Sequence, residues 1–148
     1  PLMAEGYYGK PRNAIYSTDG WYRTNDIGVI DREGFFYLRG RTGDMIKTNA
    51  VNVSPREVEA VLSGLVNNQP CVVLGIPDEE RDQLVAAIVI TDIPFDEDDI
   101  KRQMKEKLST YKVPRRILRF TQSEMPLLAT GKYEMRKLTE MVQTHWSK

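Results

Sequence analysis

Residues 70–91 read PCVVLGIPDEERDQLVAAIVIT, which is two short apolar runs separated by a charged segment. The runs 70–76 and 84–91 are rich in β-branched residues and are short, so they predict two buried strands. The charged segment 77–82 is expected to form the loop between them. We expect these strands to belong to a small sheet with helices packed on it.

A helix start lies upstream of this stretch. Ser54 is a good N-cap residue, Pro55 suits the first helical position, and Glu57 can bond back to the cap nitrogen. The helix is predicted from Pro55 to about Ser63, with Gly64 ending it. Its apolar face carries Val58, Val61 and Leu62.

The rest of the chain predicts an α+β fold, in which a small mixed sheet is flanked by about three helices and preceded by a β-hairpin region. Residues 1–20 read as irregular surface structure. A domain boundary is placed near Thr42-Gly43, because residues 1–42 lack a core of their own while 43–148 can form one. The remaining strands and helices are predicted over 27–31, 35–39, 44–47, 51–53, 96–108, 116–120 and 133–143.

Composition and charge exclude several classes of protein. The 148 residues are 41% hydrophobic and 28% charged, and 21 basic residues balance 21 acidic ones. A neutral chain has no general attraction for nucleic acid or for an anionic membrane. No apolar stretch approaches the roughly 18 residues of a membrane span, and residues 1–8 do not resemble a signal peptide.

Cysteine and histidine are scarce. The single cysteine, Cys71, cannot form an internal disulfide, which fits a reducing cytoplasm. Its apolar neighbours predict a buried core thiol. With His145 as the single histidine, no metal site is expected.

The segment PLLATGK, residues 126–132, carries the first candidate for chemistry. Gly131 removes side-chain bulk just before a predicted helix, and Lys132 supplies a mobile positive charge suited to phosphate or carboxylate oxygens. The segment is not a phosphate-binding loop of the GxxxxGK(S/T) type, since the earlier glycine and the following hydroxyl are missing. Taken alone, the segment favours reading Lys132 as a solvated surface lysine.

Three other segments carry polar side chains that could bind a nucleotide. Asp26, at the mouth of a predicted strand, can accept hydrogen bonds from two neighbouring hydroxyls, as on a ribose. Arg41 offers five donors for a phosphate or a ribose. The cluster Tyr111, Lys112, Arg115 and Arg116 could hold phosphates and stack a base. In isolation they read as a turn aspartate, a charged turn and a solvated basic face.

The order and spacing of five motifs change this reading. The chain contains GWYRTNDIG at 20–28, GRTGDMIK at 40–47, VSPREVE at 53–59, YKVP at 111–114 and TGK at 130–132. In this order they resemble the adenylate-forming superfamily, which includes acyl-CoA synthetases, beetle luciferases and peptide synthetase adenylation domains. The second and third motifs are similar to the acyl-CoA ligase branch.

The resemblance implies a C-terminal domain of an enzyme that uses ATP and then CoA as substrates. In such enzymes a carboxylic acid reacts with ATP to give an acyl-adenylate, and the CoA thiol then displaces AMP. Lys132 matches the lysine that contacts the carboxylate and the α-phosphate. Asp26 matches the ribose-binding aspartate, and Arg41 matches an arginine that supports the nucleotide. Mg²⁺ is expected with ATP, but no ligand for it is expected in this chain.

The resemblance implies that between the two steps this domain acts as a mobile lid that rotates about a hinge, which aligns with Gly43. The resemblance then implies that the segment 47–52 replaces Lys132 at the active site. Residues expected to face CoA are Lys47, Asn49, Ala50, Asn52, Tyr111, Lys112, Arg115 and Arg116. Residues 1–42 resemble the end of a large N-terminal domain, the expected partner of the lid, so this chain by itself is expected to lack full activity.

Departures from the family pattern leave alternatives open. Asn25 stands where the first motif usually has glycine, Gly43 stands where the hinge residue is usually Asp or Lys, and Asn49-Ala50 replace one or two glycines. A Cβ at Ala50 could narrow the passage for CoA. The alternatives are a stand-alone CoA-binding, nucleotide-binding or regulatory module, a carrier-protein-dependent adenylation domain, and a luciferase-like oxygenase.

Overall fold

The computed structural model describes residues 6–146, and the predicted α+β class is confirmed. Every predicted helix and strand is present, with shifts at the ends. The elements are β1 (Asp26–Ile30), β2 (Phe36–Arg41), β3 (Ile46–Thr48), β4 (Val51–Val53), α1 (Pro55–Leu65), β5 (Cys71–Asp78), β6 (Asp82–Ile90), α2 (Glu97–Lys107), β7 (Arg116–Phe120) and α3 (Met135–Trp146).

The two apolar runs form an antiparallel hairpin at the centre of a five-stranded mixed sheet. Strand β5 pairs with β6 along its whole length, from Cys71 opposite Val89 to Asp78 opposite Asp82. The other edge of β6 is shared, because β3 meets it at Thr48 opposite Asp82 and β7 runs parallel to residues 86–90. The sheet order is β4-β3-β6-β5, with β7 beside β6.

Helices cover both faces of this sheet, which explains why the runs are apolar at successive positions. On one face α1 and α2 pack on one set of alternate strand residues, and on the other α3 packs on the intervening set. The first core includes Val58, Leu62, Ile100, Met104, Val85, Ala87 and Val89. The second includes Ala86, Ile88, Ile90, Leu138 and Val142. A strand buried on both faces needs apolar side chains throughout.

Helix α1 differs from the prediction at both ends. Gly64 lies inside the helix rather than ending it, and the chain turns away only at Asn67 and Asn68, whose φ angles are 56° and 58°. The predicted capping box is also wrong, because Ser54 Oγ donates to the Arg39 carbonyl 3.0 Å away instead of capping the helix. Tertiary partners outcompete the local cap bonds here, and Glu57 likewise binds another segment.

Other boundaries shift by one to three residues. Residues 42–44 form a 3₁₀ turn, so β3 begins at Ile46 instead of residue 44. Helix α3 begins at Met135 because Tyr133 pairs with Leu127 in an isolated bridge. In the region predicted to be irregular a 3₁₀ turn spans Arg12–Ala14, and residues 1–5 lie outside the described part of the chain. Cys71 is half-buried at the rim of the first core rather than fully inside it.

Strands β1 and β2 form a separate two-stranded sheet ahead of the main one. Most of its large apolar side chains are exposed, namely Val29, Ile30, Phe36, Tyr37 and Leu38. This agrees with the expectation that the hairpin has no core of its own. A boundary at residues 42–43 stays a prediction.

The N-cap of α2 offers a test of local stabilisation. Asp96 Oδ1 accepts hydrogen bonds from the amides of Asp98 and Asp99 at 2.9 and 3.1 Å. We expect Asp96→Ala to lower the free energy of unfolding by about 1 kcal/mol, since two amides lose their acceptor. Urea denaturation measures this. Asp98→Ala removes a carboxylate from the same turn without the cap, and an equal loss in both variants would contradict the assignment.

Candidate functional site

Asp26 and Arg41 lie opposite each other in the β1–β2 ladder and bind each other. Arg41 Nε donates to Asp26 Oδ1 at 2.7 Å. This hydrogen bond is the main reason why the pKa of Arg41 is raised. The side chain of Arg41 is still 61% exposed, so the pair forms a charged, open unit at the end of the hairpin.

The residue before Asp26 explains one departure from the family pattern. Asn25 has a φ of 61°, the left-handed region in which glycine is most at ease. Asparagine tolerates this region better than other residues with a Cβ. Its carbonyl accepts from the amide of Thr42 at 2.8 Å and from Thr42 Oγ1 at 3.2 Å. The turn therefore keeps the shape that glycine would allow, and it ties the start of β1 to the predicted hinge.

A groove of about 580 Å³ extends from the predicted hinge to Tyr133, the residue after Lys132. Its walls come from residues 40, 41 and 43–46, the first turns of α1, strand β5, Gln83 of β6 and the first turns of α3. Arg41, Gly43 and Tyr133 all line it. Two segments that are about 90 residues apart in the sequence thus face one space.

Two titratable groups line the wall of this groove. Glu59 accepts a hydrogen bond from the Val73 amide at 2.9 Å, and burial raises the pKa of its carboxyl although this bond and Arg56 oppose the shift. Burial and, to a lesser extent, Glu59 raise the pKa of the Cys71 thiol to about 11. A thiol with that pKa is protonated at neutral pH, so Cys71 is not suited to act as a nucleophile.

Lys132 sits on a tight loop that holds its backbone and leaves its side chain exposed. The loop is closed by hydrogen bonds from the Leu128 amide to the Lys132 carbonyl at 2.8 Å and from the Gly131 amide to the Leu128 carbonyl at 2.9 Å. Gly131 has a φ of 78°, which explains the glycine before the lysine. Within residues 6–146 the Lys132 ammonium forms no ion pair.

The segment predicted to face CoA in the second step forms the β3–β4 hairpin. Lys47, Asn49, Ala50 and Asn52 are all exposed on it. Asn49 and Ala50 have φ angles of 49° and 62°, so the turn places two residues with a Cβ in the left-handed region. Alanine has no side-chain polar group to offset this strain, unlike asparagine.

The basic cluster is less available than its sequence indicates. Lys112 Nζ lies 2.7 and 2.9 Å from the two carboxylate oxygens of Glu57 on α1. Arg116 Nε lies 3.7 Å from Glu97 Oε1. In the described part of the chain no ion pair involves Arg115, and both Arg115 and Tyr111 are exposed.

Glu97 is the acidic centre that orders this region. Burial alone would raise its pKa, but hydrogen bonds from Lys101 and from the Ile117 amide, together with Arg116, hold the pKa below its usual value. Lys101 also donates to the Arg115 carbonyl at 2.6 Å. The backbone of the cluster is therefore fixed even where its side chains are free.

The structure brings the two groups that are predicted to face CoA to one edge of β6. Thr48 of the β3–β4 hairpin lies opposite Asp82, and the Arg115 amide donates to the Val85 carbonyl at 2.8 Å. Three residues along a strand correspond to about 10 Å. Tyr133, next to Lys132, instead lines the groove beside β5, which pairs with the opposite edge of β6.

Sequence reasoning missed Glu57 and Glu97 as partners of the basic cluster, and it missed Gln83. Glu57 attracted attention only as a capping residue, because its true partner is 55 residues away. Among residues 6–146 no group of acidic, histidine and cysteine side chains is arranged to hold a metal ion. The helices in that range are also too short or too polar to cross a membrane.

The sequence matches the family described as the AMP-binding enzyme C-terminal domain over residues 57–132. It is 37% identical to a long-chain-fatty-acid–CoA ligase of Bacillus subtilis over 95% of this chain and 25% of the relative. It is 32% identical to a 2-succinylbenzoate–CoA ligase of Listeria monocytogenes over 95% of this chain and 30% of the relative.

A solved structure gives the same indication. The o-succinylbenzoate CoA synthetase from Bacillus subtilis, in complex with its acyl-adenylate intermediate, matches with a TM-score of 0.73 and 28% identity. The match covers 85% of this chain and 25% of that one. The fold and the sequence thus define the small C-terminal domain of an adenylate-forming enzyme. The chain belongs to the AMP-binding enzyme C-terminal domain family, and it spans 25–30% of the length of the curated relatives named above.

The strained turn at Ala50 yields a prediction with opposite outcomes at two sites. Ala50→Gly should raise the free energy of unfolding by about 1 kcal/mol, because glycine adopts a positive φ without a steric cost. The same substitution at the exposed helical residue Ala60 should lower it by about 1 kcal/mol. Chemical denaturation measures both changes. Destabilisation by Ala50→Gly would show that the turn carries no strain.

Proposed function

We propose that this chain is the lid domain of an ATP-dependent acyl-CoA ligase and that it supplies Lys132 to the adenylation step. The observation that carries the proposal is the state of Lys132 in a chain of this family: its backbone is fixed by the loop, and its ammonium is exposed and forms no ion pair in residues 6–146. Such a charge is ready to meet an anion outside this chain.

The electrostatic contribution of Lys132 would be large enough to matter. A unit charge about 4 Å from an oxyanion, at an effective dielectric near 20, contributes about 4 kcal/mol. In the adenylation step the carboxylate attacks the α-phosphate of ATP, and the charge of Lys132 would stabilise the oxygens of both groups. The carboxylate of Asp26 would accept hydrogen bonds from the ribose hydroxyls. Arg41 would hold one oxygen of the Asp26 carboxylate in place.

The two faces of the lid support a division of labour between two half-reactions. Tyr133, next to Lys132, lines the groove beside β5 and α3, whereas Thr48 of the β3–β4 hairpin and the Arg115 amide meet the opposite edge of β6, although Ile46 at the start of β3 also lines the groove. We expect Lys132 and residues 47–52 to occupy one site in turn rather than together. Rotation about Thr42-Gly43 would exchange them, so that Lys132 serves adenylation and residues 47–52 serve thioester formation. A Cβ at Gly43 would meet no atom within 4 Å, so this position has room for a side chain such as the Asp or Lys that is usual at the hinge.

The ion pairs reduce the set of residues that we propose to contact CoA. Lys112 and Arg116 already have carboxylate partners, so we assign them to holding the local backbone. Arg115 and Tyr111 are then the groups on this side that would meet the phosphates and the adenine of CoA. No ligand for the Mg²⁺ that accompanies ATP is assigned to this chain.

The partner of the lid would be the large domain that makes up the rest of such a ligase. The chain matches 25–30% of the length of its curated relatives, and the β1–β2 hairpin exposes Ile30, Phe36 and Leu38. Exposed apolar side chains grouped on one small sheet are typical of a surface that another body covers. The acyl substrate would be selected by that large domain.

The role of Lys132 can be tested in a chimera, in which this chain replaces the matching segment of the Bacillus subtilis long-chain-fatty-acid–CoA ligase. We expect Lys132→Ala to lower the rate of acyl-adenylate formation about 100-fold, by analogy with the loss of one transition-state donor. Pyrophosphate release reports this step. Thioester formation from preformed acyl-adenylate should change far less.

Lys137→Ala is the matched control, because Lys137 is an exposed lysine on α3 five residues further along. Equal losses in the two half-reactions, or an equal effect of Lys137→Ala, would contradict the role proposed for Lys132.

The assignment of Arg115 to CoA and of Lys112 to the local backbone can be tested in the same chimera. Arg115→Ala should raise the KM for CoA about tenfold without changing stability, because a charge-assisted contact with a phosphate is lost. Lys112→Ala should instead lower the free energy of unfolding by up to about 1 kcal/mol, with little change in that KM. Steady-state kinetics with varied CoA and thermal denaturation measure these effects. A higher KM for CoA in Lys112→Ala together with lower stability in Arg115→Ala would contradict the assignment of the CoA contact to Arg115.

A further inference from the structure

The β3–β4 hairpin, which carries the proposed CoA face, is joined to the sheet at one short stretch. Three consecutive residues, 47–49, meet three consecutive residues, 81–83. Thr48 lies opposite Asp82 in the ladder, the Asn49 amide donates to the Arg81 carbonyl at 3.1 Å, and the Lys47 amide donates to Gln83 Oε1 at 2.9 Å. In the last of these bonds the acceptor is a side-chain oxygen, whereas in a regular strand ladder it would be a backbone carbonyl.

A gap on the neighbouring strand gives Gln83 room for this bond. Gly75 of β5 lies under its side chain, and a Cβ at Gly75 would fall 2.8 to 2.9 Å from the amide group of Gln83. The φ of Gly75 is not in the left-handed region, so a Cβ there would displace the end of the Gln83 side chain rather than strain the backbone. The missing side chain at Gly75 therefore leaves room for Gln83, whose side-chain oxygen accepts the hydrogen bond from the Lys47 amide.

The turn between β5 and β6 fixes the second contact with the hairpin, which is the hydrogen bond between the Asn49 amide and the Arg81 carbonyl. Asp78 Oδ1 accepts from the amides of Glu80 and Arg81 at 3.2 and 3.0 Å, and Asp82 adopts a φ of 67°. These features orient the Arg81 carbonyl towards Asn49. The turn and Gln83 thus hold the hairpin at its two sides.

We propose that Gln83 is a positioning residue for thioester formation, which acts by holding the Lys47–Asn52 hairpin in register with β6. This inference rests on the proposed function, since it assigns the hairpin to the second half-reaction. Gln83 does not touch substrate in this scheme. Without its bond the Lys47 amide loses its acceptor, and the hairpin keeps its ladder contact at Thr48 but can shift by small amounts. A shift of that size is enough to weaken a reaction that depends on close alignment.

The local part of the inference can be measured on this chain without any substrate. Gln83→Ala should speed amide hydrogen exchange at Lys47 about tenfold, because the amide loses its acceptor. Gly75→Ala should do the same while leaving Gln83 in the sequence, because the added methyl group displaces the side chain. Gln83→Glu keeps an acceptor oxygen and should stay close to wild type. The Val73 amide, which is bonded to the side chain of Glu59, is an internal control and should not change.

The functional part uses the chimera described above. Gln83→Ala and Gly75→Ala should lower the rate of thioester formation from preformed acyl-adenylate about tenfold and leave adenylation unchanged. Gln83→Glu should restore the rate. Gln122→Ala is the matched control, because Gln122 is exposed after β7 at the opposite end of the sheet, and it should affect neither half-reaction.

Four results would overturn the inference. Unchanged exchange at Lys47 in Gln83→Ala would remove the physical link, and equal losses in both half-reactions would reduce Gln83 to a general structural residue. Unchanged rates of both half-reactions for Gln83→Ala in an active chimera would overturn the positioning role while leaving the proposed function intact. A wild-type chimera that adenylates but forms no thioester would overturn the proposed second half-reaction, and the role of Gln83 with it.

Discussion

Strand β6 is the constraint on which this structure depends. Its successive residues point into two different cores, with Ala87 and Val89 under α1 and α2 and with Ala86 and Ile88 under α3. Its two edges are also occupied, by β5 along its length on one side and by β3 and then β7 on the other. A strand that is buried on both faces and both edges cannot shift in register without misplacing every element around it. The positions of the candidate site residues follow from this one strand.

Charge partners decide which basic side chains remain available for a ligand. Lys112 and Lys132 are the same residue type, and both lie in family motifs, yet the first is bound to Glu57 and the second is exposed. Arg116 is held near Glu97, while Arg115 faces outward from a backbone that Lys101 and β6 fix in place. An exposed cation on a rigid backbone is suited to meeting an external anion, whereas a paired one stabilises the fold. Basic residues that are close in the sequence, such as Arg115 and Arg116, therefore differ in their availability for a ligand because they have different partners in the folded chain.

Backbone conformation accounts for two departures from the family pattern in different ways. Asn25 and Ala50 both occupy left-handed positions where glycine is usual. Asparagine accepts the conformation at little cost, so the turn beside Asp26 keeps its shape. Alanine adopts it with strain, so the tip of the β3–β4 hairpin is less stable than a glycine turn would be. The contacts of residues 81–83 with this hairpin gain importance for the same reason.

The amino-acid sequence by itself determined the elements and their class. The apolar runs 70–76 and 84–91, Pro55 and the helical spacing of Val58 and Leu62 are local signals, and each appears as predicted because burial on a strand or a helix has a characteristic period. The five motifs also identified the family and indicated Lys132. The end of α1 and the partners of Ser54 and Glu57 were not predictable in this way, since their hydrogen bonds go to Arg39 and Lys112 rather than to their own helix. Only the tertiary structure decided that Lys112 is paired, that Arg115 lies near the β3–β4 hairpin, and that Gln83 reaches Lys47 across Gly75. Those contacts join residues 15 to 55 positions apart, and no local pattern encodes a partner at that distance.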